Sequence, residues 1–318
     1  MQGVFLDTDT IDANDLDLSP FTAIDRIAWQ SYGTTSPEQL LERISGANIV
    51  ISNKVVLDRA AIQSTSSLKL IVVAATGTNN IDLAAAREMD VIVCNVRGYG
   101  TPSVAQHVFT LILALTTRLP LYMQAIAEGR WQKHPHFCLF DFPIRELDGK
   151  SLGIVGYGTL GQGVAKVAHG FGLKVLLAQR PGGPPQEGRI DLADLLPQVD
   201  ILTLHCPLTE QTRNLIDQAE LEAMKRDAIL INTARGGIVN ERALVKALCD
   251  GTIAGAGIDV LSEEPPVNGN PLLATNIPNL IVTPHIAWAS KESRQRVINI
   301  VGDNIRAFLK GDPQNVVR

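Results

Sequence analysis

The chain has 318 residues, more than one hydrophobic core usually serves, so we expect two domains. A share of 45% hydrophobic and 19% charged residues is typical of a globular protein. The net charge of −5 and the lack of a basic run argue against a nucleic-acid partner. No apolar stretch is long enough to cross a bilayer, so we expect no membrane association.

The N-terminus lacks the pattern of a signal peptide, and the four cysteines show neither metal-binding nor redox spacing. We therefore expect reduced thiols, no bound metal and a cytoplasmic location.

Short apolar runs alternate with helical patterns over residues 1–94, which predicts a small parallel sheet. Ile24–Ile27 and Trp29 indicate a helix face, and Asn79 or Asn80 is expected near the N-cap of a following helix. The predicted strands are Gly3–Leu6, Ala47–Ser52, Leu70–Ala74 and Val91–Cys94, and the helices are Asp58–Gln63 and Ile81–Glu88.

The alternation stops after Cys94, and Ser103–Thr117 then forms a long apolar pattern that predicts a helix of about four turns. Gly129–Gly149 is irregular and rich in aromatic residues. Long loops of this kind are usually functional or lie in interfaces, so we expect this segment to contact a second copy in a homodimer.

A second alternation begins at Ser151 and predicts a doubly wound parallel sheet. A final helix, Ser290–Lys310, is expected to return to the first domain. The sequence thus predicts an α/β fold with two Rossmann-like doubly wound domains: a discontinuous substrate domain, 1–98 plus 287–318, and a dinucleotide-binding domain, 99–286. The strands of the second domain are Leu152–Val155, Lys174–Ala178, Ile201–Leu204, Ala228–Asn232, Ile253–Asp259 and Leu280–Thr283.

Three glycines follow the first strand of this second sheet at the spacing G-x-G-x-x-G, and a helical pattern follows them. In the order strand, glycine turn and helix, this motif indicates dinucleotide binding. Gly156 permits the tight turn, Gly158 lets the backbone approach a pyrophosphate, and Gly161 lets helix and strand pack closely.

Three ionisable residues each follow a predicted strand of the second sheet: Arg235, Glu264 and His285. Ligands of doubly wound sheets bind beyond the carboxyl ends of the strands, so these side chains can converge. A histidine can protonate a carbonyl oxygen that receives a hydride at its carbon, and a neighbouring carboxylate fixes the histidine tautomer. An arginine can hold a 2-oxo acid through its carboxylate. The three residue types fit a nicotinamide-dependent reduction.

Five stretches together resemble the D-isomer-specific 2-hydroxyacid dehydrogenase family over essentially the whole chain. They are Gly153-Ile-Val-Gly-Tyr-Gly-Thr-Leu-Gly161, Leu204-His-Cys-Pro-Leu-Thr209, Ile231-Asn-Thr-Ala-Arg-Gly-Gly237, Gly257-Ile-Asp-Val260 and Thr283-Pro-His-Ile-Ala287.

The resemblance implies that Arg235, Glu264 and His285 are the catalytic residues. The substrate contacts that we expect are Lys54, the backbone N–H groups of Thr76 and Gly77, Arg235, His285 and Trp288. The expected cofactor contacts are Gly156, Gly158, Thr159, Leu160, Gly161, Gln179, Arg180, His205, Cys206, Pro207, Thr212, Thr233, Ala234, Arg235, Asp259 and His285.

Within this family the chain is most similar to members that reduce hydroxypyruvate or glyoxylate, a similarity carried by Ser52-Asn-Lys54 and His285-Ile-Ala-Trp288. The implied activity is hydride transfer between NAD(P)H and a small 2-oxo acid. Two alternatives remain open at this point. One is a D-lactate-type dehydrogenase with another 2-oxo acid, and the other is a nucleotide-sensing, corepressor-like interaction protein on the same scaffold.

The second strand of the dinucleotide domain, Lys174–Ala178, is followed by Gln179 and Arg180 and by no acidic residue. An Asp or Glu here would hold the ribose 2′-hydroxyl of NAD and repel a 2′-phosphate. We therefore expect NADP(H) to be preferred, with Arg180 as the phosphate ligand, and NAD(H) to remain usable.

Overall fold

The structure is a computed structural model that describes residues 1–317. The chain divides into two compact units: Met1–Tyr99 with Ala289–Arg318, which we call unit 1, and Gly100–Trp288, which we call unit 2. The boundaries expected from the sequence, 98/99 and 286/287, lie one and two residues earlier in the chain. The difference arises because Ala287 and Trp288 pack against the hydrophobic cluster of unit 2.

Unit 1 is built on a five-stranded parallel sheet in the order β2-β1-β3-β4-β5. The last helix, α11, packs against α1 and β4 within this unit, as the sequence predicts. The strands are β1 Gln2–Phe5, β2 Ala28–Ser31, β3 Ile49–Ser52, β4 Leu70–Val73 and β5 Ile92–Cys94, and the helices are α1 Ser19–Thr22, α2 Pro37–Ile44, α3 Arg59–Gln63, α4 Leu83–Glu88 and α11 Lys291–Leu309.

Two local predictions in unit 1 are wrong. Ile24–Ile27 forms a turn after α1 and no helix, and Trp29 lies in strand β2, because its ring packs over Gly3 of β1 and edge-on against Phe21 at 5.0 Å. Helix α4 is capped by Asp82, whose carboxylate accepts the Ala85 N–H at 2.8 Å, and not by an asparagine. Helix α2 begins with a capping box that the sequence prediction overlooked.

Unit 2 contains a six-stranded parallel sheet in the order β11-β10-β9-β8-β6-β7. All six predicted strands are present, and the order reverses between β6 and β8, which makes this the switch point at which doubly wound sheets bind ligands. The strands are β6 Ser151–Val155, β7 Lys174–Leu177, β8 Ile201–Leu204, β9 Ile229–Asn232, β10 Gly255–Ile258 and β11 Leu280–Val282.

Helix α5 packs on β9 and β10 and helix α7 on β6 and β7, while α6, which was not predicted, packs on α5. No single described helix is long and apolar enough to cross a membrane, although the bent pair α5 and α6 passes that test jointly by length and composition. The helices are α5 Thr101–Thr116, α6 Leu119–Ala127, α7 Thr159–Gly170, α8 Leu192–Leu195, α9 Gln218–Ala223 and α10 Glu241–Cys249.

Candidate active site

The glycine motif forms the turn between β6 and α7 at the switch point. Gly156 has φ +96°, and a Cβ there would lie 2.6 Å from the Cys206 backbone N. A Cβ at Gly161 would lie 2.3 Å from the Gly156 carbonyl oxygen. A Cβ at Gly158, in contrast, would meet no described atom within 4 Å. Packing within the protein therefore requires Gly156 and Gly161, whereas the open space at Gly158 fits a pyrophosphate that approaches the start of α7.

Two buried polar atoms at neighbouring strand ends also fit a bound dinucleotide. The Nδ1 of His205, after β8, and the Oγ1 of Thr233, after β9, have no hydrogen-bond partner among residues 1–317. Nε2 of His205 lies 3.0 Å from Thr203 Oγ1, and desolvation lowers the pKa of His205 to about 4, so its ring is neutral near pH 7. Buried polar atoms are rarely left unpaired, and a cofactor at this edge would supply partners.

The segment after β7 holds the residues expected near the cofactor ribose. The Gln179 amide donates to the Gln186 carbonyl at 3.2 Å and accepts the Gln186 N–H at 3.1 Å, so it ties together the two sides of the loop 179–189. Arg180 is exposed and lines a pocket of about 240 Å³ together with Gly182 and Gly183. Gln179 thus stands where NAD-binding domains usually have an acidic residue, and it stabilises the loop from which the Arg180 side chain extends.

A second guanidinium lies beside the glycine turn and was missed by the sequence prediction. The Cζ of Arg189 lies 5.1 Å from the centre of the Tyr157 ring, and Tyr157 stands between Gly156 and Gly158. The end of the same loop returns to the sheet through a bridge between Ala178 and Ile190, which explains how a residue so far along the loop reaches this place.

His285 and Glu264 form a hydrogen-bonded pair beyond the adjacent strands β11 and β10. The Nδ1 of His285 lies 2.6 Å from Glu264 Oε2, and the Leu261 N–H donates to Glu264 Oε1 at 2.8 Å. Because the carboxylate accepts at Nδ1, the tautomer is set and Nε2 is left as the nitrogen that can exchange a proton with a ligand. Both side chains are about one-third exposed, which keeps the pair open to a small molecule.

The backbone at His285 is held in a left-handed conformation with φ +55°. Its N–H donates to the Asp259 carbonyl at 2.8 Å. The Asp259 carboxylate, 1% exposed, accepts from Thr283 Oγ1 at 2.5 Å, from the Ile286 N–H at 3.0 Å and from the Ala287 N–H at 2.9 Å. Such strain in a residue other than glycine persists only where the surroundings enforce it. Asp259 therefore braces the histidine loop, and its cofactor contact stays a prediction.

Arg235 stands three residues past the end of β9 on a loop pinned by Asn232. The buried Asn232 amide accepts the Ala234 N–H at 3.0 Å and donates to the Arg235 carbonyl at 2.9 Å. At the next residue, Gly236, a Cβ would lie only 1.8 Å from the Leu261 carbonyl oxygen, so this loop packs directly on the loop that carries Glu264. The loops after β9 and β10 are thus in direct contact, and the Glu264–His285 hydrogen bond joins those after β10 and β11. Arg235 itself is exposed, and its Nη1 donates to the Ala234 carbonyl at 2.7 Å, so its approach to the histidine stays a prediction.

Of the remaining predicted cofactor contacts, Thr159 and Leu160 begin helix α7, whereas Cys206, Pro207 and Thr212 follow β8 and Ala234 follows β9. Thr212 is buried, and its hydroxyl donates to the Pro207 carbonyl at 2.6 Å, which braces that loop. Cys206 is buried, which raises the pKa of its thiol to about 11 and keeps it protonated. The predicted substrate contact Trp288 packs partly buried against the cluster that contains α5.

Unit 1 carries the other predicted substrate contacts, on the loops after β3 and β4. The buried carboxylate of Asp7 accepts the backbone N–H groups of Asn53, Lys54 and Val55, which fixes the loop from which the exposed Lys54 side chain extends. The Thr76 hydroxyl donates to the Val96 carbonyl at 2.9 Å. Gly77 follows in the same loop, and the substrate contacts of this unit stay predictions.

The fold and site define a class: a nicotinamide-dependent oxidoreductase with a histidine–carboxylate pair and an arginine on adjoining loops. Residues 109–287 match the NAD binding domain of the D-isomer specific 2-hydroxyacid dehydrogenases. This chain belongs to that family of enzymes, as the sequence motifs predict.

Relatives and solved structures support this assignment over the full chain. Glycerate dehydrogenase of Methylorubrum extorquens is 46% identical over 316 residues, which covers 99% of this chain and 98% of the relative. Hydroxypyruvate reductase of Blautia hydrogenotrophica is 38% identical over 322 residues, an alignment that covers 100% of this chain and 99% of the relative. The structure of an NADPH-dependent glyoxylate/hydroxypyruvate reductase from Sinorhizobium meliloti, in complex with citrate, aligns with a TM-score of 0.81 at 26% identity, covering 99% and 97% of the two chains.

Proposed function

We propose that this enzyme reduces hydroxypyruvate or glyoxylate to D-glycerate or glycolate, with NADPH as the preferred reductant. The observation that carries the proposal is the His285–Glu264 pair at 2.6 Å on a loop surface shared with Arg235. The names of the relatives in Methylorubrum extorquens, Blautia hydrogenotrophica and Sinorhizobium meliloti support these small 2-oxo acids as substrates.

The residues of unit 2 divide the reaction between them. Bound at the glycine turn, the reduced nicotinamide cofactor supplies the hydride for the carbonyl carbon. His285 delivers a proton from Nε2 to the carbonyl oxygen as general acid, while Glu264 holds its Nδ1–H and stabilises the imidazolium. Arg235 binds the substrate carboxylate through paired N–H donors and orients the carbonyl.

The loop after β7 supports NADPH as the preferred cofactor. Beyond the end of β7 the chain carries Gln179, which is hydrogen-bonded to Gln186, and no acidic residue that would repel a 2′-phosphate at that position. The carboxylate that does line the pocket is that of Asp191, at the far end of the loop in the sequence. The exposed Arg180 can form a charge-assisted hydrogen bond with that phosphate, worth about 1.5–3 kcal/mol. This corresponds to a preference of roughly one to two orders of magnitude.

A panel of 2-oxo acids assayed with NADPH and NADH at 340 nm tests the proposal. We expect hydroxypyruvate or glyoxylate to have the highest kcat/KM, and NADPH to exceed NADH by about tenfold or more. A maximum at pyruvate or a bulkier acid would favour a D-lactate-type enzyme. Absence of turnover with every acid would favour a nucleotide-sensing protein, and a tenfold preference for NADH would overturn the cofactor assignment.

The variant Arg180→Ala separates the cofactor assignment from the substrate assignment. Because the arginine would contact only the 2′-phosphate, KM for NADPH should rise about tenfold or more while KM for NADH stays nearly unchanged. Arg226→Ala, which removes an exposed arginine elsewhere on unit 2, serves as the control and should alter neither KM.

We propose further that the enzyme is a homodimer formed through residues 119–144. Leu119, Met123 and Ile126 of α6 are exposed, and Phe137 and Phe140 in the following irregular segment are 89% and 86% exposed. A run of apolar side chains this exposed is typical of a surface that another protein covers, and a second copy is the partner that the chain itself supplies.

Light scattering after size exclusion tests the dimer. The unmodified protein should have twice the mass of the chain, whereas Phe137→Ser combined with Phe140→Ser should shift it toward the monomer. Val267→Ser, at a residue of unit 2 that is 75% exposed, is the matched control and should leave the mass unchanged. A monomeric unmodified protein at micromolar concentration would contradict the proposal.

We also propose that the enzyme is located in the cytoplasm. The four cysteines are free thiols in the structure, which suits the reducing conditions of that compartment.

A further inference from the structure

Helix α5 contacts the loop 283–287, which carries His285, at two points one turn apart. The Ser103 hydroxyl donates to the Ala287 carbonyl at 2.7 Å, and Nε2 of His107 lies 2.9 Å from Thr283 Oγ1. His107 also lies 3.5 Å from Asp259 Oδ1 and is 15% exposed. The two polar residues stand four positions apart, so they share one face of the helix.

The packing of α5 on β10 explains why this face reaches the loop. A Cβ on Gly257 would lie 2.9 Å from Leu111 Cβ, and one on Gly255 would lie 3.2 Å from Leu115 Cδ2. The two glycines of β10 therefore let the helix approach closely. Leu115, Leu111, His107 and Ser103 follow one another at intervals of four, which carries the face from the strand onto the loop beyond its carboxyl end.

The hydrogen bonds in this group converge on one acceptor, the Asp259 carboxylate. Thr283 gives its only hydroxyl proton to the Asp259 carboxylate at 2.5 Å, so the same oxygen must accept from the N–H at His107 Nε2. The carboxylate then holds the Ile286 and Ala287 N–H groups. His107 and Thr283 on the helix side, and the Ile286 and Ala287 N–H groups on the loop side, thus donate toward the Asp259 carboxylate, which links helix α5 to the strained backbone around His285.

We infer that His107 is a positioning residue for the reaction: acting through Thr283 and Asp259, it keeps the His285 loop in its left-handed, proton-delivering conformation. It touches neither His285 nor Glu264 by any contact described above, so its effect is on the placement of the general acid. The inference rests on the role proposed for His285, and its first test is therefore independent of turnover.

Hydrogen exchange of the unliganded protein, followed by mass spectrometry, is that test. His107→Phe keeps an aromatic ring but removes the donor, and His107→Gln restores an N–H at similar reach. We expect the Phe variant to accelerate exchange of the amides at 285–287 about fivefold or more, and the Gln variant to restore much of the protection. Gln106→Ala, at the exposed neighbour, is the control and should change nothing there. Equal exchange in the Phe variant and the unmodified protein would overturn the inference.

Steady-state kinetics supply the second test. His107→Phe should lower kcat for hydroxypyruvate about five- to tenfold with KM for NADPH within about twofold, and His107→Gln should recover most of the loss. Thr283→Val interrupts the same chain, so the double variant with His107→Phe should be no slower than the slower single variant. Additive losses, or equal losses with Phe and Gln, would reduce His107 to a structural residue. Failure of the unmodified enzyme to turn over would contradict the proposed function and leave the exchange test decisive.

Discussion

His285→Ala should lower kcat for hydroxypyruvate by more than about a hundredfold, because the carbonyl oxygen would then take its proton from water and not from a positioned acid. The 2.6 Å hydrogen bond between His285 Nδ1 and Glu264 Oε2 holds the acid in place, so we expect the loss to fall on kcat. Glu264→Gln should give a smaller loss, since its amide can still meet the imidazole but no longer stabilises its positive charge.

Pre-steady-state and steady-state rates, measured beside NADPH binding by fluorescence, check the result. Binding should stay within about threefold of the unmodified enzyme, so that the loss falls on the chemical step. His169→Ala, an exposed histidine at the end of α7, is the matched control and should keep full activity. A His285→Ala enzyme with nearly unchanged kcat would exclude this residue as the general acid.

Arg235→Ala should lower kcat/KM for the 2-oxo acid by roughly a hundred- to a thousandfold. A hydrogen bond to a charged group is worth about 1.5–3 kcal/mol, and a guanidinium offers two such bonds to one carboxylate. Both KM and kcat should suffer, because the arginine binds the substrate and also sets the orientation of its carbonyl.

Arg235→Lys separates charge from geometry. Lysine retains the charge and loses the planar fork, so it should recover only part of the activity. Arg242→Ala, at an exposed arginine of α10, is the control and should be neutral. The Arg235→Ala substitution should lower kcat/KM less for a neutral substrate analogue than for the carboxylate substrate. Equal losses for the two substrates would show that the assigned contact between Arg235 and the carboxylate is wrong.

Much of the fold of unit 2 could be predicted from the local pattern of apolar and polar residues. Its six strands are short apolar runs bounded by polar residues or glycines, and buried parallel strands have that appearance. The edge strand of unit 1, β2, was harder to predict, because the sequence around the apolar Trp29 suits a helix as well as a strand. Its strand was decided by the space that Gly3 leaves on β1, which local propensity does not report.

In the candidate site, the proposed catalytic residues could be predicted from the sequence, but the residues that hold them in place could not. The types and strand-end positions of Arg235, Glu264 and His285 predict a reduction site from spacing alone. The bracing residues were missed: Asn232 looks like an ordinary strand end, and His107 lies in a helix interpreted as apolar. The available signal for His107 was that Ser103 and His107 are polar and stand four residues apart on one helix face. Their role could not be inferred from this spacing, because it depends on the loop that packs against that face.

The sequence by itself therefore determined the family, the alternating α/β architecture and the residue types of the reaction. Those properties follow from hydrophobic period, glycine spacing and side-chain chemistry, which are local. Only the tertiary structure decided which groups hold those residues in place: the contact of Gly236 with Leu261, the strained φ of His285 and the donors that converge on Asp259. These join segments far apart in the chain, and close packing, not sequence proximity, makes them neighbours.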